Sequence, residues 1–195
     1  MIKLTSLLSE SIIQEKKVYH GTISDFVDKI QQSKTLKSSR MSGNKISAGL
    51  TTESGIIWLT SEFDLANQYA HGAEVNMYKD VNVHGLKAEY GGVFEIEIDD
   101  NIKLINRDSP LTQSQVDILN KNFIPHYKPL NVGNTLSNAE WRAYTKHGLH
   151  DMILALGYDG IIYGKHQIGI AADSLPITAF HKKPKHELRK TLNNI

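Results

Sequence analysis

Residues 55–70 most constrain what this chain can fold into, because a buried strand there hands over to a helix with almost nothing between them. Ile56, Ile57, Trp58, Leu59 and Thr60 make an apolar run of strand length. Ser61 follows as a helix cap, and Leu65, Ala66, Tyr69 and Ala70 recur at helical spacing until Gly72 stops the helix. The rest of the chain repeats this alternation of short strands and short helices. Residues 18–20 read as a strand, with Thr22 capping a helix whose Ile23, Phe26, Val27 and Ile30 fall on one face. Residues 33–54, rich in Ser, Lys, Thr and Gly, read as one long loop. Val93-Phe94-Glu95-Ile96-Glu97-Ile98 alternates, which predicts a half-buried strand with Phe94, Ile96 and Ile98 inward and the other side wet. Ser137 and Glu140 form a capping box for a helical region through Trp141, Leu149, Met152, Ile153 and Leu156 to Gly157, with Gly148 as a possible break. Residues 161–163 and 177–180 supply the last strands. The expected class is α+β, with helices inserted between strands.

Composition limits what these elements can serve. The chain has 195 residues, enough for one domain with tails and a sizeable core. With 40% hydrophobic and 22% charged residues it reads as an ordinary globular protein, and a net charge of +1 gives no global field for nucleic acid or membrane. Cysteine is absent, which removes disulfides, thiolate metal sites and cysteine nucleophiles and fits a cytoplasmic setting. No apolar run approaches the roughly 20 residues of a membrane helix.

Residues 1–16 stand apart from a domain drawn at 17–186, and 187–195 form a basic tail. Ile2, Leu4, Leu7, Leu8, Ser11 and Ile12 make a partly helical apolar stripe, read most simply as an amphipathic lid helix. The segment also resembles the capsid-targeting peptides of proteins packaged into tailed-phage heads, which are cut after Leu-x-Glu or Ile-x-Glu. Leu8-Ser9-Glu10 and Ile13-Gln14-Glu15 both fit. That resemblance implies a phage protein acting in the host cytoplasm and carried in the virion.

Three further blocks carry a wider resemblance: His20-Gly21-Thr22 at a strand end, Trp58 with Tyr69 eleven positions later in Ala66-Asn67-Gln68-Tyr69-Ala70, and Gly157-Tyr158-Asp159-Gly160 before the closing strands. From about Val18 to Pro184 the chain resembles the histidine-tyrosine-glutamate group of ADP-ribosyltransferases, which includes diphtheria toxin and the poly-ADP-ribose polymerases. The implied fold is two small, mostly antiparallel sheets forming a split core with helices between strands.

The implied chemistry is cleavage of NAD, used as a substrate, and transfer of a single ADP-ribose to a host protein or nucleic acid, with no metal. Nicotinamide leaves through a transition state of oxocarbenium character, so a site must hold the ring, orient the ribose and stabilise positive charge. By resemblance His20 contacts ribose hydroxyls, the Gly21 backbone grips the carboxamide with Thr22 beside it, and Trp58 and Tyr69 sandwich the nicotinamide. Aromatic faces suit a ring that is cationic before cleavage and neutral after it. Thr60 and Ser61 are candidate polar lining, or helix caps. In active members a glutamate opens one of the last core strands in a pattern like Glu-x-Val-Val-Phe. Matching Thr178-Ala179-Phe180 to that strand puts Pro176 where the glutamate belongs, with Asp173 the nearest carboxylate and Gln167 on the hairpin side of the same region. His20, Tyr69 and Asp173 are therefore the candidate catalytic residues.

The alternatives are a binding or packaged protein on the same fold that has lost its acid, and an NAD-dependent RNA 2′-phosphotransferase. The latter needs basic residues for RNA phosphate, and the run after His20 is not basic. His147 and His150 share helical spacing but lack a matched carboxylate pair and read as surface residues. Phosphate-cradling glycine loops of the Walker and dinucleotide-fold types and the Gly-x-Ser-x-Gly elbow are absent. A monomer is expected.

Overall fold

The structure is a computed structural model that describes residues 17–38, 55–71, 90–124, 128–143 and 148–182. The N-terminal stripe, most of the expected long loop, Gly72, His147 and the basic tail lie outside the described residues.

Among the described residues, nine strands and five helices follow one another: β1 (Lys17–Ile23), α1 (Ser24–Ser33), β2 (Thr35–Lys37), β3 (Ile56–Thr60), α2 (Phe63–Ala70), β4 (Tyr90–Glu97), β5 (Leu104–Asn106), α3 (Gln113–Asn122), α4 (Leu136–Ala143), α5 (Leu149–Ala155), β6 (Gly160–Tyr163), β7 (Gln167–Ala171), β8 (Ser174–Pro176) and β9 (Ala179–His181). This is an α+β architecture with a mostly antiparallel sheet of order β5-β6-β7-β3-β1-β4-β9; only β5 and β6 run parallel. β2 and β8 pair in a separate two-stranded sheet.

The seven strands are not evenly joined. β3 pairs with β7 at every residue and β1 pairs with β4 along its whole length, whereas β1 meets β3 at the single pair Tyr19 and Thr60. The sheet is thus two well-knit halves that touch at one point; the His20 block and the Trp58 strand lie at that seam, whereas residues 157–160 lead into β6, two strands away from β3.

Both faces are covered, by different layers. On one face Phe94, Ile96, Ile57, Leu59, Ile168 and Ile170 pack with Val18 and with Val27 of α1. On the other, Ile56, Ile105 and Ile161 pack under α3, α4 and α5 through Val116, Leu119, Leu136, Ala139, Met152 and Ile153. Ala66 and Ala70 of α2 cover Val93 on that same side, so the face of β4 expected to be wet is dry at Val93. Burying this much branched aliphatic surface is the main stabilising term, at about 25 cal/mol per Å² removed from water.

Several local expectations shift by a few residues. β1 continues through Thr22, so Thr22 lies in a strand and is not a cap; α1 begins at Ser24. The residue capping α2 is Glu62, and no side chain caps that helix; the Thr60 hydroxyl instead accepts the Glu62 N–H at 3.1 Å. α4 begins at Leu136, before the expected box: Thr135 donates its N–H to Asn138 Oδ1 at 2.9 Å, two residues ahead of the expected pair Ser137 and Glu140. Gly148 breaks the helical region and caps α5, and Gly157 ends it at φ 79°, a left-handed angle that glycine adopts without penalty. A box at Thr112 and Gln115 opens α3, in a stretch the sequence pattern left unread. The strand expected at 177–180 is replaced by β8 and β9 on either side of Ile177 and Thr178, and β7 was not anticipated.

Candidate functional site

β1 brings His20 to the seam. Where β1 and β3 part, the backbone of β3 loses its neighbour, and the His20 ring supplies a partner: Nδ1 lies 2.9 Å from the Trp58 carbonyl oxygen. A carbonyl only accepts, so Nδ1 carries the proton and Nε2 presents a lone pair. Burial pushes the pKa of His20 below its usual value, with the Trp58 bond opposing the shift. The imidazole is therefore neutral at pH 7, a donor to the backbone on one side and an acceptor on the other.

Gly21 is set by packing. A Cβ at that position would overlap the carbonyl of Ala66 and come within 2.8 Å of the Ala70 backbone nitrogen. The missing side chain lets α2 lie directly against β1, and this fixes where the α2 side chains reach. Thr22 is buried in the strand. Edge-to-face contact of Tyr19 with Phe63, centroids 5.4 Å apart, holds the start of the helix.

β3 presents Trp58. Its four neighbours in the strand are buried, but Trp58 is 39% exposed, because it stands where the helical cover leaves the sheet open. The indole lies over Gly169, directly opposite on β7, where a Cβ would sit 3.0 Å from the ring. Tyr163 of β6 meets it edge-on at 5.7 Å, and the Arg107 guanidinium stacks on the Tyr163 ring at 4.1 Å.

Tyr69 of α2 comes down on the same face. Gln167 donates from Nε2 to the Tyr69 hydroxyl oxygen at 2.6 Å, a contact across 98 residues of sequence. Gln167 opens β7 directly opposite Thr60, diagonal to Trp58. Diagonal neighbours on an antiparallel pair are about 7–8 Å apart. Trp58 and the Tyr69–Gln167 pair thus lie near one another on one face of the sheet. Just beyond, Ser61 donates its N–H to the His166 carbonyl, and His166 Nδ1 lies 3.0 Å from Glu62 Oε1.

The structure thus brings His20, Gly21, Trp58, Thr60, Ser61 and Tyr69 to one region, with Thr22 continuing β1. It does not bring Asp173 there. Ala171, the last residue of β7, faces Ile56 at the far end of β3, about 13 Å along the strand from Gln167 at ~3.3 Å per residue. Asp173 lies beyond it, exposed, its carbonyl accepting the Ser38 N–H at 2.9 Å. Pro176 belongs to β8, opposite Thr35 in the small sheet, away from β3. The residue opening the strand beside Trp58 is Gln167. Its signal was present in the alternation of Ile168 and Ile170, but Gly169 and Ala171 carry too little apolar surface for the strand to stand out.

Away from the seam, Glu95 is held by Lys17 at 2.9 Å and His181 at 3.2 Å. The Lys17 hydrogen bond, opposed by burial and helped by His181, lowers the pKa of Glu95. Among the described residues, no group of three or more His, Cys, Asp or Glu is placed to hold a metal ion, and no helix is long and apolar enough to cross a membrane. No protein-family model, curated protein or solved structure matches the chain.

Proposed function

We propose that this chain is an NAD-dependent mono-ADP-ribosyltransferase acting on a host macromolecule, with its nucleotide site at the seam between β1 and β3. The observation that carries the reading is the Tyr69–Gln167 hydrogen bond on the sheet face that exposes Trp58, with a neutral His20 held to the Trp58 carbonyl at the seam. Nicotinamide would lie between Trp58 and Tyr69, and His20 Nε2 would accept from a ribose hydroxyl. The glycosidic C–N bond breaks with its electron pair leaving on nicotinamide. The acceptor's nucleophilic atom then bonds to the ribose carbon and loses its proton to solvent. Thr60 already receives the Glu62 N–H, so its part is to hold the strand-to-helix turn that carries Tyr69.

NAD titrated against tryptophan fluorescence tests binding. The expected result is saturable quenching that Trp58→Phe removes and Tyr69→Ala weakens about tenfold. Labelled NAD with host lysate tests transfer, and label incorporation that survives His20→Ala would refute this site. A second reading, an NAD-binding protein without transfer, is favoured by one observation: the residue opening β7 beside Tyr69 is an amide, not a carboxylate. Saturable quenching with no labelling would select it.

A further inference from the structure

We propose that Arg107 is a positioning residue for the site: stacked on Tyr163, it fixes the orientation of the Trp58 indole from the β5 end of the sheet, three strands away from β3. The effect on ligand binding rests on the NAD reading above; the fixing of the indole does not.

An indole that is 39% exposed has little around it to select one orientation. Trp58, Gly169 and Ile161 pair across β3, β7 and β6, and Tyr163 stands two residues beyond Ile161, so all four share one face of the sheet. Gly169 leaves room beneath the indole, but a residue without a side chain cannot hold a ring sideways. That constraint comes from Tyr163, whose ring meets the indole at 84° with centroids 5.7 Å apart. An edge-to-face contact fixes its partner only as well as its own ring is fixed.

Tyr163 is the last residue of β6, and the chain turns away directly after it at Gly164, φ 66°. Arg107 supplies the missing support, with its guanidinium carbon 4.1 Å from the centre of the Tyr163 ring. The arginine backbone is anchored on both sides. Its N–H is donated to the Ile162 carbonyl at 3.1 Å, and its own carbonyl accepts the Ser137 N–H of α4 at 3.3 Å. The Arg107 side chain is 17% exposed, whereas that of Asp108, with Oδ1 3.8 Å from Arg107 Nη1, is 63% exposed. An ion pair that long and that wet contributes little, so between these two partners the ring sets the guanidinium. A planar fork laid on an aromatic face is something arginine offers and lysine does not. Support therefore runs from the start of α4 through Arg107 and Tyr163 to Trp58. An indole already held in place loses less freedom when a ligand ring packs against it, and that loss is one of the costs of association.

The test uses the full chain as wild type, Arg107→Ala, Arg107→Lys, Tyr163→Leu, Tyr163→Phe and Asp108→Asn. The chain has two tryptophans, so the indole N–H resonance of Trp58 is assigned by its loss in Trp58→Phe. Its nitrogen relaxation reads the mobility of the ring without NAD, and calorimetric titration reads NAD affinity. Arg107→Ala and Tyr163→Leu are expected to make the indole mobile on the nanosecond scale and to weaken NAD binding about threefold to tenfold. The double variant should do no worse than Tyr163→Leu alone, because the arginine acts through the ring. Arg107→Lys should fall between Arg107→Ala and wild type. Tyr163→Phe and Asp108→Asn should match wild type, since both keep the stacked ring; a general loss of stability would not produce that ranking. Should Arg107→Ala fail to fold, Arg107→Lys and Tyr163→Leu decide the matter. Folded Arg107→Ala or Tyr163→Leu protein with an indole as rigid as in wild type overturns the proposal, as does a double variant whose effects add. A mobile indole with unchanged NAD affinity overturns its consequence for the site. A wild-type protein that does not bind NAD overturns the NAD reading alone, and the relaxation result still decides the role of Arg107.

Discussion

Substituting Gly21 by alanine tests the packing on which the site depends, and the sign of the effect is informative. Gly21 does not use the left-handed backbone region, so alanine would meet no conformational penalty there. By restricting the unfolded chain alanine should even stabilise a strand, by roughly 0.5–1 kcal/mol. Against this stands the added methyl, which would overlap the Ala66 carbonyl and approach the Ala70 nitrogen to 2.8 Å. Both are backbone atoms of a helix, so no side-chain rotation relieves the contact and α2 must move as a body. Overpacking of this kind costs about 1–3 kcal/mol, with a rigid obstacle at the upper end. The net expectation is a loss of about 2 kcal/mol, or roughly 4–8 °C in Tm for a chain of this length. Urea unfolding monitored by far-ultraviolet circular dichroism measures it directly. Gly21→Ala with unchanged or higher stability would refute the close approach of α2 to β1, and with it the packing that sets Tyr69 against Gln167.

Four further outcomes follow from the same geometry. Because the His20 pKa is lowered by burial, its contribution to stability is fully present above the unfolded value near pH ~6.5 and is lost as pH falls through the folded value. The urea midpoint should drop on acidification across that window, and His20→Gln should flatten the dependence. Glu95, with its pKa lowered chiefly by Lys17, contributes stability above its unfolded value near ~4.3 that is lost at more acid pH. Lys17→Met should move acid unfolding to higher pH without changing behaviour between pH 6 and 8. Thr112→Ala removes the box that opens α3 and should cost about 1 kcal/mol by urea unfolding, with NAD affinity unaltered. Gly169→Ala sets a methyl within 3.0 Å of the Trp58 ring and should shift the indole emission and weaken NAD-dependent quenching.

What could be seen beforehand followed apolar periodicity. β3, α2 and the inward face of β4 were readable because Ile57, Leu59, Phe94 and Ile96 bury large side chains at regular spacing. The ends of elements were less legible, since caps depend on which of several competent side chains reaches a free N–H. Asn138 rather than Ser137 organises the start of α4, and at α2 the N-cap position falls on Glu62 rather than Ser61 with no side chain reaching the free N–H groups. The pairing of strands was least visible. β7 carries glycine opposite Trp58 and alanine opposite Ile56, small residues whose value lies in what they leave room for, so the strand that delivers Gln167 gave a weak signal. Trp58, Tyr69 and His20 stand out by local pattern; the contact of Gln167 with Tyr69 becomes visible only with the register of β7 against β3.

A sheet whose halves meet at one residue pair also transmits force poorly at that line. Tyr19 and Thr60 supply the only ladder contact between β1 and β3, and the His20 ring acts as a single rivet beside it. The two halves should therefore exchange amide hydrogens as separate cooperative units, each protected by its own ladders. A ligand gripped by His20 on one half and by Trp58 and Gln167 on the other would bind them into one, adding about 2.7 kcal/mol at a hundredfold excess over its Kd. Occupancy would thus be readable as merged exchange behaviour reaching beyond the site into β4 and β6, the strands paired to the outer sides of β1 and β7.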